Sequence, residues 1–188
     1  MNLAHRLLCN SGVWRKAVET RILPWTLEGV ELGTKVLEIG PGPGVTTESL
    51  RKRIARLTCI EIDARYASAL ARRFGGRNFQ VLCGDGSSMP LADASFDAVV
   101  CFTMLHHVSS TALQDRLLKE AARVLKRGGI FAGTDSLGGR VFRLLHLFDT
   151  INPVDPDSLP KRLSEAGFEK IRVDATPRGF RFRAQKTA

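Results

Sequence analysis

The feature that most constrains the fold is the stretch from Val36 to Thr47, which reads VLEIGPGPGVTT. The apolar run at 35–39 predicts a buried strand, the glycines at alternate positions predict a tight loop, and the spacing over 46–53 predicts a helix. Glycine permits backbone conformations that other residues avoid, and a helix start adds unpaired N–H donors and a positive dipole end. The stretch therefore predicts a strand, loop and helix with a ligand site at the loop.

The spacing of the glycines narrows the class of ligand. A dinucleotide-binding turn, G-x-G-x-x-G, would need glycine where the chain has Val45, and the phosphate loop G-x-x-x-x-G-K-[ST] is not matched either. Glu38 stands two residues before Gly40. Its carboxylate would repel a pyrophosphate and attract an ammonium group, so the loop predicts a cofactor that carries a positive charge.

The same stretch resembles motif I of the class I S-adenosylmethionine-dependent methyltransferases, and later segments match that family in order. Glu61 ends the next apolar run, where a carboxylate can accept both ribose hydroxyls. Asp85 follows a third apolar run, and in the family this acid accepts a hydrogen bond from the adenine amino group. The segments 95–108 and 120–131 look like the fourth and fifth strand units. The resemblance covers over half of the chain.

The resemblance implies one Rossmann-like α/β domain with a doubly wound, mostly parallel seven-stranded sheet, in which the antiparallel last strand lies between the fifth and the sixth. Residues 1–32 would form an N-terminal helical segment, 33–136 the cofactor-binding core, and 137–188 the acceptor-side helices and closing strand pair. S-adenosylmethionine would be the methyl donor and S-adenosylhomocysteine the product. The implied cofactor-binding residues are Glu38, Gly40, Pro41, Gly42, Gly44, Glu61, Ile62, Asp85, Gly86, Phe102 and Thr103.

The segment after the fourth strand, TMLHHV at 103–108, indicates the kind of acceptor. It lacks the [DNS]-P-P-[YFW] motif with which several methyltransferase branches hold a planar amine or amide, which argues against methylation of adenine or of a glutamine side chain. The LHHV pattern looks like the small-molecule branch that includes quinone and lipid methyltransferases. The resemblance thus implies a small, partly apolar acceptor, with the methylated atom open between O, N and C.

His106 and His107 are the candidate catalytic residues. A histidine beside the acceptor can take a proton from a hydroxyl or an acidic carbon as the methyl group moves. The alternative is that one of them packs or caps the turn before the next helix. The sequence has no metal-ligand spacing, and a sulfonium is already an activated leaving group, so no metal is predicted.

Three further residues are candidates for the acceptor site. The N-terminal segment predicts an amphipathic helix that ends before Pro24, and Trp14 on it lines either a lid over the cofactor pocket or a helix that covers a sheet face. The segment 141–148 is strongly apolar. There, Phe142 and His146 form either an apolar acceptor wall or ordinary core packing.

Composition restricts the remaining classes of function. A chain of 188 residues, 44% hydrophobic and 25% charged, predicts one soluble domain, and no run approaches the roughly 20 apolar residues of a membrane span. Four cysteines without paired metal-ligand spacing suit a reducing cytoplasm. The net charge of +9 is compatible with a nucleic-acid partner but does not favour one, because many basic residues end predicted helices, where they offset the helix dipole.

Two alternatives stay open at this stage. The segment CIEIDAR at 59–65 resembles the adenine dimethylases of ribosomal RNA, which favours an RNA methyltransferase, although the acceptor motif of those enzymes is missing. A non-catalytic protein that binds the cofactor for regulation would keep the same loop and acids. The sequence does not distinguish between oligomeric states.

Overall fold

The structure, a computed structural model, describes residues 7, 9, 11–139, 142, 149 and 151–188. Within these residues, seven strands form one sheet in the order β3-β2-β1-β4-β5-β7-β6. β1 to β5 pair in parallel, and β7 runs antiparallel to both β5 and β6, which confirms the predicted sheet. The strands are β1 Lys35–Ile39, β2 Arg56–Glu61, β3 Phe79–Cys83, β4 Phe96–Phe102, β5 Leu125–Asp135, β6 Phe168–Thr176 and β7 Gly179–Lys186.

Helices connect the strands, and two of the longest begin at a residue whose side chain caps them. Asp63 accepts a hydrogen bond from the N–H of Arg65 at 2.9 Å, and Ser110 accepts one from the N–H of Leu113 at 3.2 Å. The helices are α1 Gly12–Ala17, α2 Leu23–Thr26, α3 Val45–Leu50, α4 Ala64–Phe74, α5 Thr111–Val124 and α6 Leu159–Glu165, with a 3₁₀ turn at Leu105–His107. None of the described helices is long and apolar enough to cross a membrane.

The prediction that the N-terminal helix ends before Pro24 is wrong. A π-helical turn, Val18–Ile22, joins α1 to α2, and the N–H of Leu23 donates to the carbonyl of Val18, five residues back. Proline has no N–H to give to a regular helical ladder, and its ring clashes with the carbonyl four residues before it. Because the π turn changes the ladder just ahead of Pro24, the helix continues to Thr26.

The core lies on both faces of the sheet because side chains alternate along each strand. On β1, Leu37 and Ile39 belong to one apolar cluster, which includes residues of α5 and α6. Val36 belongs to a second cluster, which includes residues of α3, α4 and the π turn. The sheet is therefore covered by helices on both sides, as the doubly wound arrangement requires.

The strand register brings four loops to one edge of the sheet. Ile39 of β1 pairs with Ile60 of β2 and with Cys101 of β4, and Glu61 of β2 pairs with Cys83 of β3. The residues that follow these strands are therefore neighbours at the carboxyl edge, where open α/β sheets bind their ligands.

Candidate functional site

The three glycines after β1 differ in what surrounds them. Gly40, Gly42 and Gly44 all have positive φ, at 65°, 54° and 81°, which other residues rarely adopt. A Cβ on Gly40 would lie 3.0 Å from Cε of Met104, and one on Gly44 would lie 2.4 Å from Cδ2 of Leu70, but one on Gly42 would meet nothing within 4 Å. The outer glycines therefore permit close packing, and Gly42 borders open space.

The loop itself is closed by a short turn. The carbonyl of Pro41 accepts a hydrogen bond from the N–H of Gly44 at 3.0 Å, and the N–H of Gly40 donates to the carbonyl of Ile60 at 2.9 Å. The first bond gives the loop its curvature and the second ties it to β2. The backbone around Gly42 is thus held in place before any ligand binds.

Glu38 lies behind this loop, with only 1% of its surface exposed. Its carboxylate accepts hydrogen bonds from the hydroxyls of Thr46 and Thr47, the latter at 2.7 Å. Burial raises the pKa of Glu38, and these two hydroxyl contacts partly offset the increase. In this arrangement Glu38 holds the first turn of α3 against β1, and the predicted contact between Glu38 and a cofactor's ammonium group stays a prediction.

Glu61 joins the end of β2 to the glycine loop. Its Oε2 accepts a hydrogen bond from the N–H of Gly42 at 2.8 Å, and its Oε1 accepts one from the N–H of Asp63 at 2.9 Å. A carboxylate has about four lone-pair sites, so each oxygen keeps capacity for one more donor. Glu61 can therefore fix the loop and accept ligand hydroxyls together.

The neighbouring strand ends supply an apolar surface and a second acid. Ile62, directly after β2, is 72% exposed, although isoleucine is usually buried. Asp85, after β3, is exposed, and its Oδ1 accepts a hydrogen bond from the N–H of Ser87 at 2.7 Å. Beside it, a Cβ on Gly86 would lie 2.9 Å from Cγ2 of Ile39, so the loop packs closely on β1. This combination suits a flat heterocycle with an amino group.

The chain turns sharply at the end of β4. Phe102 is buried in the second apolar cluster, and Thr103 has a positive φ of 49°, which is uncommon outside glycine. The N–H of Thr103 donates to the carbonyl of Thr134 on β5 at 2.8 Å. Met104 then lies against Gly40, so the β4 turn directly adjoins the glycine loop.

His106, in the 3₁₀ turn, forms a buried pair with Asp135 at the end of β5. Nδ1 of His106 lies 2.5 Å from Oδ1 of Asp135, and the backbone N–H of His106 donates to Oδ2 at 3.0 Å. An ionised aspartate at Nδ1 holds a proton there and leaves Nε2 as the basic atom of a neutral ring. A base oriented by a carboxylate is an arrangement that can accept protons during group transfer.

Two aromatic rings lie against the ring of His106. The ring centre of His106 is 4.1 Å from that of His107 and 4.9 Å from that of Phe142, which meets it edge to face. The N–H of Asn152 donates to the carbonyl of His106 at 2.7 Å. His106 is only 2% exposed, so an acceptor can reach its ring only if these neighbours move. The other predicted residue of this wall, His146, lies outside the described residues.

Trp14 lies on the other side of the molecule's sheet from this pair. It packs against the second apolar cluster, next to the π turn and α3. The helix that carries it is tied to α3 by an ion pair between Arg15 and Glu48, and Glu48 also binds Arg73 of α4 at 2.5 Å. This placement agrees with a helix that covers a sheet face, and a role for Trp14 in acceptor binding stays a prediction.

Sequence reasoning missed Asp135 as a functional candidate. It is the last residue of the fifth strand as Glu61 is of the second, and an acid at a carboxyl strand end was the available signal. Within the described parts of the chain, no group of three or more His, Cys, Asp or Glu side chains could hold a metal ion.

Comparison with known proteins identifies the family. The family described as "Methyltransferase domain" matches residues 37–133, which is just over half of the chain and runs from β1 into β5. The chain belongs to this methyltransferase family. The matched region carries the glycine loop, Glu61, Asp85 and the two histidines of the 3₁₀ turn.

Curated relatives match part of the methyltransferase. The demethylmenaquinone methyltransferase of Corynebacterium kroppenstedtii is 32% identical over 117 residues, which cover 62% of this chain and 45% of the relative. An uncharacterized methyltransferase of Mycobacterium tuberculosis is 37% identical over 83 residues, which cover 44% of this chain and 42% of the relative. The matched regions thus span less than half the length of these relatives.

Solved structures show the same fold across nearly the whole chain. A protein of Pyrococcus horikoshii OT3 superposes with a TM-score of 0.78 at 17% identity, over 95% of this chain and 94% of that one. A SAM-dependent methyltransferase of Thermotoga maritima gives a TM-score of 0.72 at 21% identity, over 99% of this chain and 100% of that one. At such identities the likeness concerns the fold alone.

Proposed function

We propose that this methyltransferase transfers a methyl group from S-adenosylmethionine to a small, partly apolar acceptor. The observation that carries the proposal is the convergence of Gly42, Glu61, Ile62 and Asp85 at the carboxyl ends of three adjacent strands. Each of these residues offers one kind of contact, and together they match the parts of an adenosyl ligand.

The residues at this edge fit that cofactor. Gly42 leaves space for close approach to the main chain, and Glu61 keeps acceptor capacity for the ribose hydroxyls. The exposed side chain of Ile62 offers an apolar surface to the adenine ring, and Asp85 offers an acceptor for its amino group. When bound, the sulfonium supplies a methyl group with an already activated leaving group.

The amino acid portion of the cofactor would bind at the glycine loop. Glu61 and the turn at Pro41 hold the loop's backbone, and buried Glu38 supports it through Thr46 and Thr47. A loop fixed in advance loses little freedom on binding, which favours affinity. Glu38 then acts chiefly through the loop's position.

On the acceptor side, His106 is the proposed base and Asp135 the residue that orients it. With its Nδ1 proton held by Asp135, His106 can receive a proton at Nε2 from an acceptor hydroxyl or acidic carbon. Binding of the acceptor would displace the neighbours that cover the His106 ring, among them Phe142. Alignment of the reactants and exclusion of water supply the rest of the rate enhancement.

The relatives suggest which acceptors to test first. Several are demethylmenaquinone methyltransferases, and a quinol-type ring has both a hydroxyl and an adjacent carbon that becomes nucleophilic when the hydroxyl is deprotonated. This chemistry suits a histidine base that lies against aromatic rings. We therefore propose aromatic hydroxyl compounds as the first acceptor class.

Methyl transfer from labelled S-adenosylmethionine tests the proposal. Purified protein is incubated with a quinol panel, total RNA and lipid extracts, and each fraction is counted for incorporated label. We expect label in small organic-soluble acceptors. Label in RNA alone would contradict the acceptor class, and an absence of transfer to every fraction by protein that binds the cofactor would favour a regulatory protein instead.

A further inference from the structure

One face of α5 holds the loop that follows β3. Leu117, Glu120 and Arg123 are spaced three residues apart, so they lie along the same side of the helix. At the start of the loop, a Cβ on Gly86 would lie 3.2 Å from Cδ1 of Leu117. The loop therefore rests directly on α5 from its first residues.

Arg123 binds the second half of this loop with every donor it has. Nη1 donates to the carbonyl of Leu91 at 2.7 Å and to Oδ1 of Asp93 at 2.6 Å, and Nη2 donates to the carbonyl of Met89 at 2.9 Å. Nη2 and Nε also donate to the two carboxylate oxygens of Glu120, at 2.8 Å and 2.7 Å. A guanidinium has five N–H groups in a fixed fork, and all five are used here.

Glu120, on the same face of α5, also binds the loop. Its Oε2 accepts a hydrogen bond from the N–H of Met89 at 2.7 Å. Both main-chain groups of Met89 are thus bound by side chains of α5, and the Met89 side chain is itself buried in the first apolar cluster. The contact with Arg123 holds the pKa of Glu120 below its usual value, so the carboxylate stays ionised at neutral pH.

Any movement at Met89 reaches Asp85 through a very short connection. Only Ser87 and Ser88 separate Gly86 from Met89, and both are tied back to Asp85: the N–H of Ser87 to Oδ1 at 2.7 Å and the N–H of Ser88 to the carbonyl at 3.1 Å. Because these two hydrogen bonds hold the turn, we expect a displacement of Met89 to shift Asp85 as well. The position of the Asp85 carboxylate is therefore set in part by Glu120 and Arg123.

We propose that Glu120 and Arg123 are positioning residues that fix the adenine end of the cofactor site. The inference rests on the proposed function, because it concerns how Asp85 meets the adenine amino group. It goes beyond that function by assigning adenine recognition to a pair on α5 that does not touch the cofactor.

Discrimination between two ligands provides the test. S-inosylhomocysteine has an oxygen in place of the adenine amino group of S-adenosylhomocysteine, so it cannot make that contact with Asp85. We expect the wild-type protein to bind the adenosyl ligand more tightly. Lysine lacks the planar fork, so Arg123→Lys should weaken adenosyl binding about tenfold, which corresponds to about 1.4 kcal/mol, and leave inosyl binding nearly unchanged.

Arg181 of β7 offers a matched control. It binds the carboxylates of Glu28 at 2.8 Å and Asp174 at 2.9 Å and the carbonyl of Trp25, and its side chain is 22% exposed against 31% for Arg123. It lies toward the other end of the sheet, with β5, β4, β1 and β2 between it and β3. Arg181→Lys should therefore leave the preference for the adenosyl ligand intact.

Glu120→Gln is the second variant, because the amide can still accept the Met89 N–H but loses the charge that holds Arg123. It should reduce the preference in the same direction, and it decides the question if Arg123→Lys does not fold. An unchanged preference in a folded variant, or an equal loss of both ligands, would overturn the positioning role and leave the cofactor proposal standing. No binding of either ligand by the wild-type protein would overturn both proposals.

Discussion

His106 and Asp135 are joined twice, by the 2.5 Å contact between Nδ1 and Oδ1 and by the 3.0 Å hydrogen bond from the His106 backbone to Oδ2. The carboxylate thus fixes both the ring and the turn that carries it. Because β4 and β5 are adjacent, with Phe102 paired to Thr134, the two residues meet at the strand ends. This relationship makes the orientation of the His106 ring depend on a residue of another strand.

The first prediction concerns that dependence. Asp135→Asn removes the charge that holds the Nδ1 proton, so kcat for methyl transfer should fall by roughly 10² to 10⁴-fold, the usual contribution of a general base. The dissociation constant for S-adenosylhomocysteine should change little. His107→Gln is the comparison variant. Because Asp135 bonds to His106 and not to His107, kcat should fall less in this variant than in Asp135→Asn. An Asp135→Asn variant with full kcat would contradict the role of Asp135 in orienting His106.

The second prediction concerns Glu61. Glu61→Ala removes the acceptor of the Gly42 N–H and the proposed acceptor of the ribose hydroxyls, so cofactor affinity should fall at least about tenfold, equivalent to about 1.4 kcal/mol. Glu61→Gln keeps one acceptor oxygen and should bind with intermediate affinity. Calorimetric titration with S-adenosylhomocysteine measures both, and unchanged affinity in Glu61→Ala would remove the ribose assignment.

The third prediction compares Gly42 and Gly44 of the same loop. Both have positive φ, so alanine at either costs about 1–2 kcal/mol of stability from backbone strain. Gly44→Ala should cost about 1–3 kcal/mol more, because its Cβ would lie 2.4 Å from Leu70. Urea denaturation measures the difference. Gly42→Ala should remain folded but bind the cofactor more weakly, and equal stability of the two variants would contradict the packing argument.

The fourth prediction concerns acid stability. Asp97 accepts hydrogen bonds from Lys126 at 2.5 Å and from the backbone N–H groups of Thr34 and Lys35, and the Lys126 contact is the main reason that its pKa lies well below the usual value. A depressed carboxylate pKa stabilises the folded state above the unfolded pKa, near 4, and that contribution is lost as the pH falls further.

Denaturation at several pH values tests this contribution. Asp97→Asn should be less stable than the wild type at pH 7, and the difference should shrink steadily below about pH 4. Asp157→Asn is the control, since the Asp157 carboxylate has no bonding partner among the described residues. A stability difference that stayed constant down to pH 2 would contradict the assignment.

Sequence reasoning predicted those parts of the site whose signal lies in consecutive residues. Glu61 ends one apolar run and Asp85 lies two residues after another, so the end of a strand and the position of an acid are visible together. Asp135 also lies at the end of a strand, but its role depends on His106, which comes close to it through the pairing of β4 with β5. No local pattern encodes that pairing.

Arg123 illustrates the same limit over a longer distance. Its acceptors on the β3 loop, at Met89, Leu91 and Asp93, precede it by about thirty residues, and in the sequence it is one more basic residue near a helix end. Burial of Glu38 was likewise hidden, because Thr46 and Thr47 face it only after the glycine loop reverses the chain. Residue types at strand ends can be predicted, whereas contacts made by folding back cannot.

The most direct measurement is calorimetric titration of the purified protein with S-adenosylmethionine and S-adenosylhomocysteine, with NAD as control. The convergence of Gly42, Glu61 and Asp85 predicts micromolar binding of both adenosyl ligands and no binding of NAD, whose G-x-G-x-x-G binding turn the glycine loop does not match. Absence of adenosyl binding by protein shown to be folded and free of retained cofactor would contradict the central claim.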